Sequence, residues 1–228
     1  MTDKDHIEKV IKRTFNVIKE VYKSQKEGKI GVSGSRIIFP KKREEDDKKK
    51  PVTRVSEQEL RFIFVEQLNE YLHSSEGENW DVYYSVETPT IKKYYFKEDP
   101  PRHEDNGQSA NFDLVIHNST DLSRIALIEF KANNPDIHDY QKDFVKLTNQ
   151  EEEGEYRYFI QLLENTRNGK DYTTDTRLNI LEKIFPSKTE TKWTDEWGKH
   201  KVIVHCVSLE KGENEKCIIK FTEYPINS

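Results

Sequence analysis

Residues 112–132 read FDLVIHNSTDLSRIALIEFKA. Two apolar runs, Phe112 to His117 and Ile125 to Ala132, flank Asn118, Ser119, Thr120 and Asp121. Asn, Asp, Ser and Thr favour turns because their side chains bond their own backbone, so the stretch predicts a β-hairpin. The second run opens with four apolar residues, Ile125 to Ile128, the pattern of a strand covered on both faces. Glu129 and Lys131 then bracket Phe130. Side chains alternate along a strand, so Glu129 and Lys131 share one face and Phe130 takes the other. A charge buried at the end of a central strand is costly unless it is paired or holds a metal. Asp113 sits inside the first run, where an Asp is disfavoured. With the turn near 118–121, Asp113 falls close to Glu129, so two carboxylates and an ammonium converge at one end of the hairpin.

Working outward, the flanking segments alternate between helical and strand periods. Upstream, Ile7, Ile11, Phe15, Ile18 and Tyr22 form one helical stripe, with Asp5 and Glu8 spaced as a capping box. Arg36 to Phe39 reads as a short strand ended by Pro40, and 41–50, KKREEDDKKK, as a solvated charged loop. A second helix starts near Ser56, with Leu60, Phe64, Leu68 and Tyr71 on its stripe. Residues 80–87 read as a strand and 97–108 as a loop. Downstream of the hairpin, Pro135 precedes a helix with the stripe Ile137, Tyr140, Phe144 and Leu147. Tyr156 to Leu163 follows as a strand, Arg177 to Phe185 as a short helix, and Lys201 to Val207 and Lys216 to Phe221 as two last strands. The order predicts an α/β fold, a mixed central sheet flanked by helices. The charge run sets the boundary, with an N-terminal helical extension at 1–50 and the main domain at 51–228.

The 228 residues suffice for one such domain or two small ones. Charged residues are 35% and hydrophobic ones 33%, which implies a heavily charged surface, while 11% aromatics argue against general disorder. No run approaches a membrane span, and MTDKDHIEKV has no signal-peptide core. Cys206 and Cys217 make no disulfide framework, so a reducing cytoplasm is expected. A net charge of -5 excludes a uniformly basic coat for nucleic acid but leaves room for a local basic groove.

Asp113, fifteen intervening residues, then Glu129-Phe130-Lys131, on a hairpin between two helices, resembles the PD-(D/E)XK nuclease superfamily, the restriction-endonuclease-like fold. The likeness covers residues 52–163; Phe112 stands where the motif's name has Pro. The resemblance implies a Mg²⁺-dependent nuclease acting on DNA, with Mn²⁺ as a substitute cation and a homodimer possible. It implies Asp113, Glu129 and the Phe130 backbone carbonyl as metal ligands and Lys131 as the catalytic lysine. Such proteins often add a Glu from the first core helix. Glu57 leads the apolar stripe and is assigned to the site and the metal. Glu59 is the alternative, with Ser56–Glu59 as a capping box giving it a structural use.

The remaining candidates have plainer readings beside them. Glu87 ends a strand and either reaches the site or faces water. Gln141, Lys142 and Lys146 could meet phosphates, although Lys142 and Lys146, one turn apart, also suit a solvated face. Lys92, Lys93 and Lys97 interleave with Tyr94, Tyr95 and Phe96, a pattern that suits single strands or a half-buried edge strand. His117 and His138 fall near the site by order; the seven His residues show no zinc spacing. A catalytically inactive module on the same fold, binding nucleic acid or protein, is the alternative function. A third reading is an α/β interaction domain whose Glu129 and Lys131 simply pair.

Overall fold

The computed structural model describes residues 1–29, 31–32, 34–42, 52–97, 101–133, 135–163, 166–167, 170–171, 202–209 and 222–224. The chain divides into two compact units, Met1–Trp80 and Asp81–Ser228. In the first unit α1 (Asp3–Lys26) packs on α2 (Glu57–Leu72). The stripe Ile7, Ile11, Phe15 and Ile18 is buried, as are Leu60, Phe64, Leu68 and Tyr71 of α2. The first helix begins earlier than its spacing predicts. Thr2 is the cap, its side chain taking the Asp5 N–H while the Asp5 carboxylate takes the Thr2 N–H. Residues 36–39 form no strand, because the Gln25 side-chain amide occupies both backbone groups of Phe39, donating to its carbonyl at 2.9 Å and accepting from its N–H at 2.8 Å. Strands β1 (Lys41–Lys42) and β2 (Val52–Thr53) pair antiparallel. The sequence groups α2 with the main domain, whereas α2 belongs to the first unit.

The second unit is a mixed, open, seven-stranded sheet. Its strands are β3 (Val82–Tyr95), β4 (Arg102–His103), β5 (Gln108–Asn118), β6 (Arg124–Ala132), β7 (Tyr156–Leu163), β10 (Val202–Ser208) and β11 (Thr222–Tyr224). They lie in the order β11-β10-β7-β6-β5-β3-β4. The short strands β8 (Thr166–Arg167) and β9 (Lys170–Asp171) pair separately. β6–β7 and β7–β10 are parallel, and the remaining pairs of the large sheet are antiparallel. Helix α3 (Ile137–Thr148), capped by the Asp136 side chain, provides the crossover from β6 to β7. The helix expected over 177–185, the strand expected over 216–221 and most of the 41–50 run lie outside the described residues.

The expected hairpin is present as β5 and β6. Its turn closes with Thr120 N–H on Asn118 Oδ1 (2.7 Å) and Ser123 N–H on Asp121 Oδ1 (2.9 Å). Helix α3 lays Tyr140, Phe144 and Leu147 on Val115, Leu127, Phe159, Val204 and Cys206. The Phe144 and Phe159 rings meet at 4.8 Å. Leu114, Ile116, Ile128, Phe130 and Ile160, on the other face, are buried as well, so β6 reads as a central strand for the reason its run of apolar residues predicts. The loop from α3 into β7 is pinned from both sides. The Glu152 carboxylate takes the N–H groups of Ile91 and Lys92 and the Tyr94 hydroxyl, each at 2.9 Å, where the β3–β5 register slips. Buried Arg157 donates to the carbonyls of Glu152 and Gly154. Gly154 is in the left-handed region (φ 143°), and a Cβ there would come within 2.8 Å of Leu127 Cγ, so this approach demands a glycine.

Candidate active site

The register Leu114↔Ile128 is the last β5–β6 pair on the open side of the hairpin. Beyond it the strands stop exchanging ladder bonds, and the Asp113 carboxylate replaces one. Asp113 Oδ2 accepts from Phe130 N–H at 2.7 Å. Side-chain alternation also breaks there. Phe112 and Val115, three residues apart, both join the core beneath α3, which a regular strand would forbid. The neighbouring strand marks the same place, since Glu87 adopts φ 49° between the pairs Val86↔Leu114 and Thr88↔Phe112. The Asp that interrupts the apolar run therefore ties the diverging β5 to the Glu129–Lys131 segment of β6. In a strand a residue's N–H and C=O point the same way, so the Phe130 carbonyl is directed to the Asp113 side too.

Glu129 and Lys131 share the α3 face, opposite Phe159 and Gln161 of β7. Each meets α3. Glu129, only 3% exposed, pairs with Lys146, itself only 6% exposed. The Lys146 ammonium also donates to the Asn111 carbonyl at 3.0 Å, lies 3.4 Å from Asp143 Oδ1, and sits 5.8 Å from the centre of the Phe112 ring. Lys131 Nζ lies 2.7 Å from Asp143 Oδ2, off the hydrogen-bonding direction, so that contact is Coulombic. The result is an alternating chain, Lys131–Asp143–Lys146–Glu129, with Asp113 beside it. Three carboxylates face two ammonium groups, leaving one negative charge in excess.

Burial pushes the Glu129 carboxyl well above the usual carboxylate range; Lys146 opposes the rise, while Asp143 and Asp113 add to it. Burial would lower the Lys146 pKa, but Glu129 and Asp143 outweigh it and hold the amine above its ordinary value. An ammonium in contact with a carboxylate favours the charged form of each, so we take the pair as ionised.

Of the residues that the sequence places at this end of the hairpin, Asp113, Glu129 and Lys131 lie along the cluster; Lys146, which the sequence also suits to a solvated face, is buried, and Asp143 is a member that the sequence does not single out. Lys146 is buried, whereas Lys142 stays on the solvated face beside Asp139. The missed signal was the helical period: Asp143 lies three residues after Tyr140 and four before Leu147, on the flank of the buried stripe. Glu57 is half-buried at the start of α2 in the first unit, and the cluster described here belongs to the second. Ser56 makes no side-chain cap; its hydroxyl bonds the Glu59 carboxylate instead. Glu87 is exposed. Gln141 is buried, with its Oε1 unbonded. His117 bonds Ser85 Oγ (2.7 Å) and the Leu122 carbonyl (3.0 Å), a structural role at the turn. His138 is half-buried on α3. Lys92 pairs with Glu151, and Lys93 and Lys97 are exposed.

Among the described residues no three His, Cys, Asp or Glu side chains gather as a metal cage. Asp113 lies near enough to Glu129 for its charge to act on that carboxyl, and the Phe130 carbonyl is directed to the Asp113 side. Carboxylates and carbonyls are hard oxygen ligands, and Mg²⁺ characteristically uses few of them and keeps several waters. A cationic group already rests on Glu129, so the place tolerates positive charge. Searches of known protein families, curated proteins and solved structures returned no match. Among the described residues no helix is long and apolar enough to cross a membrane.

Proposed function

We propose that this chain is a Mg²⁺-dependent nuclease of the PD-(D/E)XK kind that hydrolyses phosphodiester bonds in DNA. One observation carries the reading: the Asp113 carboxylate is tied by the Phe130 N–H to the Glu129-Phe130-Lys131 segment, at the carboxyl end of a central strand. Open α/β sheets commonly bind ligands at the carboxyl ends of their strands. The strand–strand–strand–helix–strand order of β3, β5, β6, α3 and β7 supports the same reading.

Asp113, Glu129 and the Phe130 carbonyl would hold the Mg²⁺, which when bound would supply a water more easily deprotonated than bulk water and an electrophile for the phosphate. Lys131 Nζ would offset charge developing on the phosphate oxygens and orient the attacking water. Asp143 fixes where that ammonium stands. Lys146 is buried and also donates to the Asn111 carbonyl, so it is less able than Lys131 to reach a phosphate.

A second reading draws on a specific observation. Glu129 and Lys131 each already have an ion-pair partner on α3, as they would in an inactive module that keeps the fold. One experiment separates the two. Single-stranded, duplex and branched DNAs are incubated with the protein, with Mg²⁺ or with chelator, beside Asp113→Ala. Cleavage that needs both Mg²⁺ and Asp113 supports the nuclease; no cleavage of any substrate, or equal cleavage by the variant, defeats it.

A further inference from the structure

Lys146 is not where a surface lysine on a helix would be. It is buried on α3, and three oxygens from three elements surround its ammonium: Glu129 of β6, the Asn111 carbonyl of β5 at 3.0 Å and Asp143 of its own helix at 3.4 Å. An ammonium held by three hard oxygens, one of them a candidate metal ligand, sits as a small cation would. Like charges brought together in a buried space repel strongly, because the low dielectric there screens little. A divalent cation and the Lys146 ammonium therefore cannot both lie against the Glu129 carboxylate without mutual cost.

We propose that Lys146 is the resident counter-cation of Glu129 and competes with the divalent metal for that carboxylate, so that this one residue sets the metal affinity. The inference rests on the reading of Asp113 and Glu129 as metal ligands. Lys146 is a positioning residue in this scheme. Before metal arrives it neutralises a carboxylate that would otherwise be buried unpaired, which keeps the β6 end and α3 together. When metal takes Glu129, Asp143 and the Asn111 carbonyl remain as partners for the ammonium, so the exchange strands no charge. A purely structural ion pair would weaken metal binding when broken, by loosening the site. The competing counter-cation predicts the opposite sign.

The test measures Mn²⁺ binding to the full-length protein by calorimetry, without DNA, for wild type, Lys146→Gln, Lys146→Arg and Glu129→Gln. Lys146→Gln should bind Mn²⁺ roughly tenfold more tightly or better, the scale expected from removing a like charge at close range. Lys146→Arg keeps the charge and should stay near wild type. Equal or weaker binding by Lys146→Gln overturns the inference while leaving the metal reading intact, provided that Glu129→Gln abolishes binding. If wild type and Lys146→Gln both fail to bind, or Glu129→Gln binds as wild type does, the metal-ligand reading falls and this inference with it. Lys146→Gln could also be unfolded in chelator. Mn²⁺ should then refold it, with a midpoint which, corrected for the fraction folded without metal, gives an intrinsic dissociation constant below that of wild type; a corrected constant at or above the wild-type value, or no refolding at any Mn²⁺ concentration, counts against the proposal.

Discussion

Lys131 Nζ lies 2.7 Å from Asp143 and is partly exposed, whereas Lys146 is buried on Glu129. Two lysines of one cluster thus answer to different tests. A protonated lysine ligates no metal, so Lys131→Ala should leave metal binding largely intact. On the proposed nuclease reading it would remove a charge that offsets the phosphate, and cleavage should fall by on the order of a hundredfold, ~3 kcal/mol. Lys131→Arg should not restore the rate, because a guanidinium is planar, bulkier and always charged. Single-turnover cleavage, paired with DNA binding in Ca²⁺, checks this; a wild-type rate in Lys131→Ala would reduce Lys131 to the partner of Asp143. A second prediction concerns Cys206, which lies in the core under α3, where burial pushes its thiol up to about 12. The thiolate is the nucleophile, so native Cys206 should resist alkylation at pH 9, where a free thiol reacts readily. The sign for stability follows. The unfolded thiol ionises first, near 9, so this burial contributes fully below that pH and its contribution fades as pH climbs towards 12. Iodoacetamide labelling of a Cys217→Ser variant, native and in urea, reads Cys206 alone; fast native labelling would mean that the β10 edge of the core opens.

At the scale of elements, β6 and α3 are joined by opposite charges buried between them, and that arrangement has a known asymmetry. Removing one partner of a buried pair strands the other, whereas replacing both by apolar groups can be neutral. Lys146→Met should therefore destabilise by about 3–5 kcal/mol, and adding Glu129→Leu should recover most of that loss. Urea unfolding of the two single variants and the double variant measures the coupling. Additive losses would show that the ion pair holds nothing together. The hairpin itself was legible in the sequence because its determinants are local: two apolar runs, a turn rich in Asn, Ser, Thr and Asp, and alternation that puts Glu129 and Lys131 on one face. The break in alternation at Asp113 was not legible, because it depends on where the β5–β6 ladder ends and on the Glu87 backbone of a third strand. Lys146 was misread for a related reason. A lysine beside a buried stripe goes to solvent unless the opposing sheet offers an anion, and helical period alone does not show what lies across the interface. The first-helix cap moved from Asp5 to Thr2 because two residues with capping side chains stand within one turn, and only the reciprocal pair satisfies both N–H groups.

For the whole molecule, charge and stability meet at the same carboxylates. The chain carries a net charge of -5, and the cluster of Asp113, Glu129 and Asp143 against Lys131 and Lys146 is locally negative as well. That excess charge opposes folding, and the proposed divalent cation would reverse its sign. A ligand that binds only the folded form stabilises it by RT ln(1 + [L]/Kd), about 2.7 kcal/mol at a hundredfold excess over Kd. For a chain of this size that corresponds to a rise in Tm of roughly 5–10 °C in saturating Mg²⁺ or Mn²⁺. Asp113→Asn keeps an oxygen that can accept from the Phe130 N–H but gives up the charge. It should melt above wild type in chelator, because one repulsive carboxylate has gone, and should show no rise with metal, because a ligand has gone with it. Loss of the Phe130 bond alone would lower Tm in chelator, so the sign of that shift separates an electrostatic role for Asp113 from a merely architectural one. Thermal melts of both proteins, in chelator and across a Mn²⁺ titration, read both quantities, and equal metal responses in the two would remove Asp113 from the metal site.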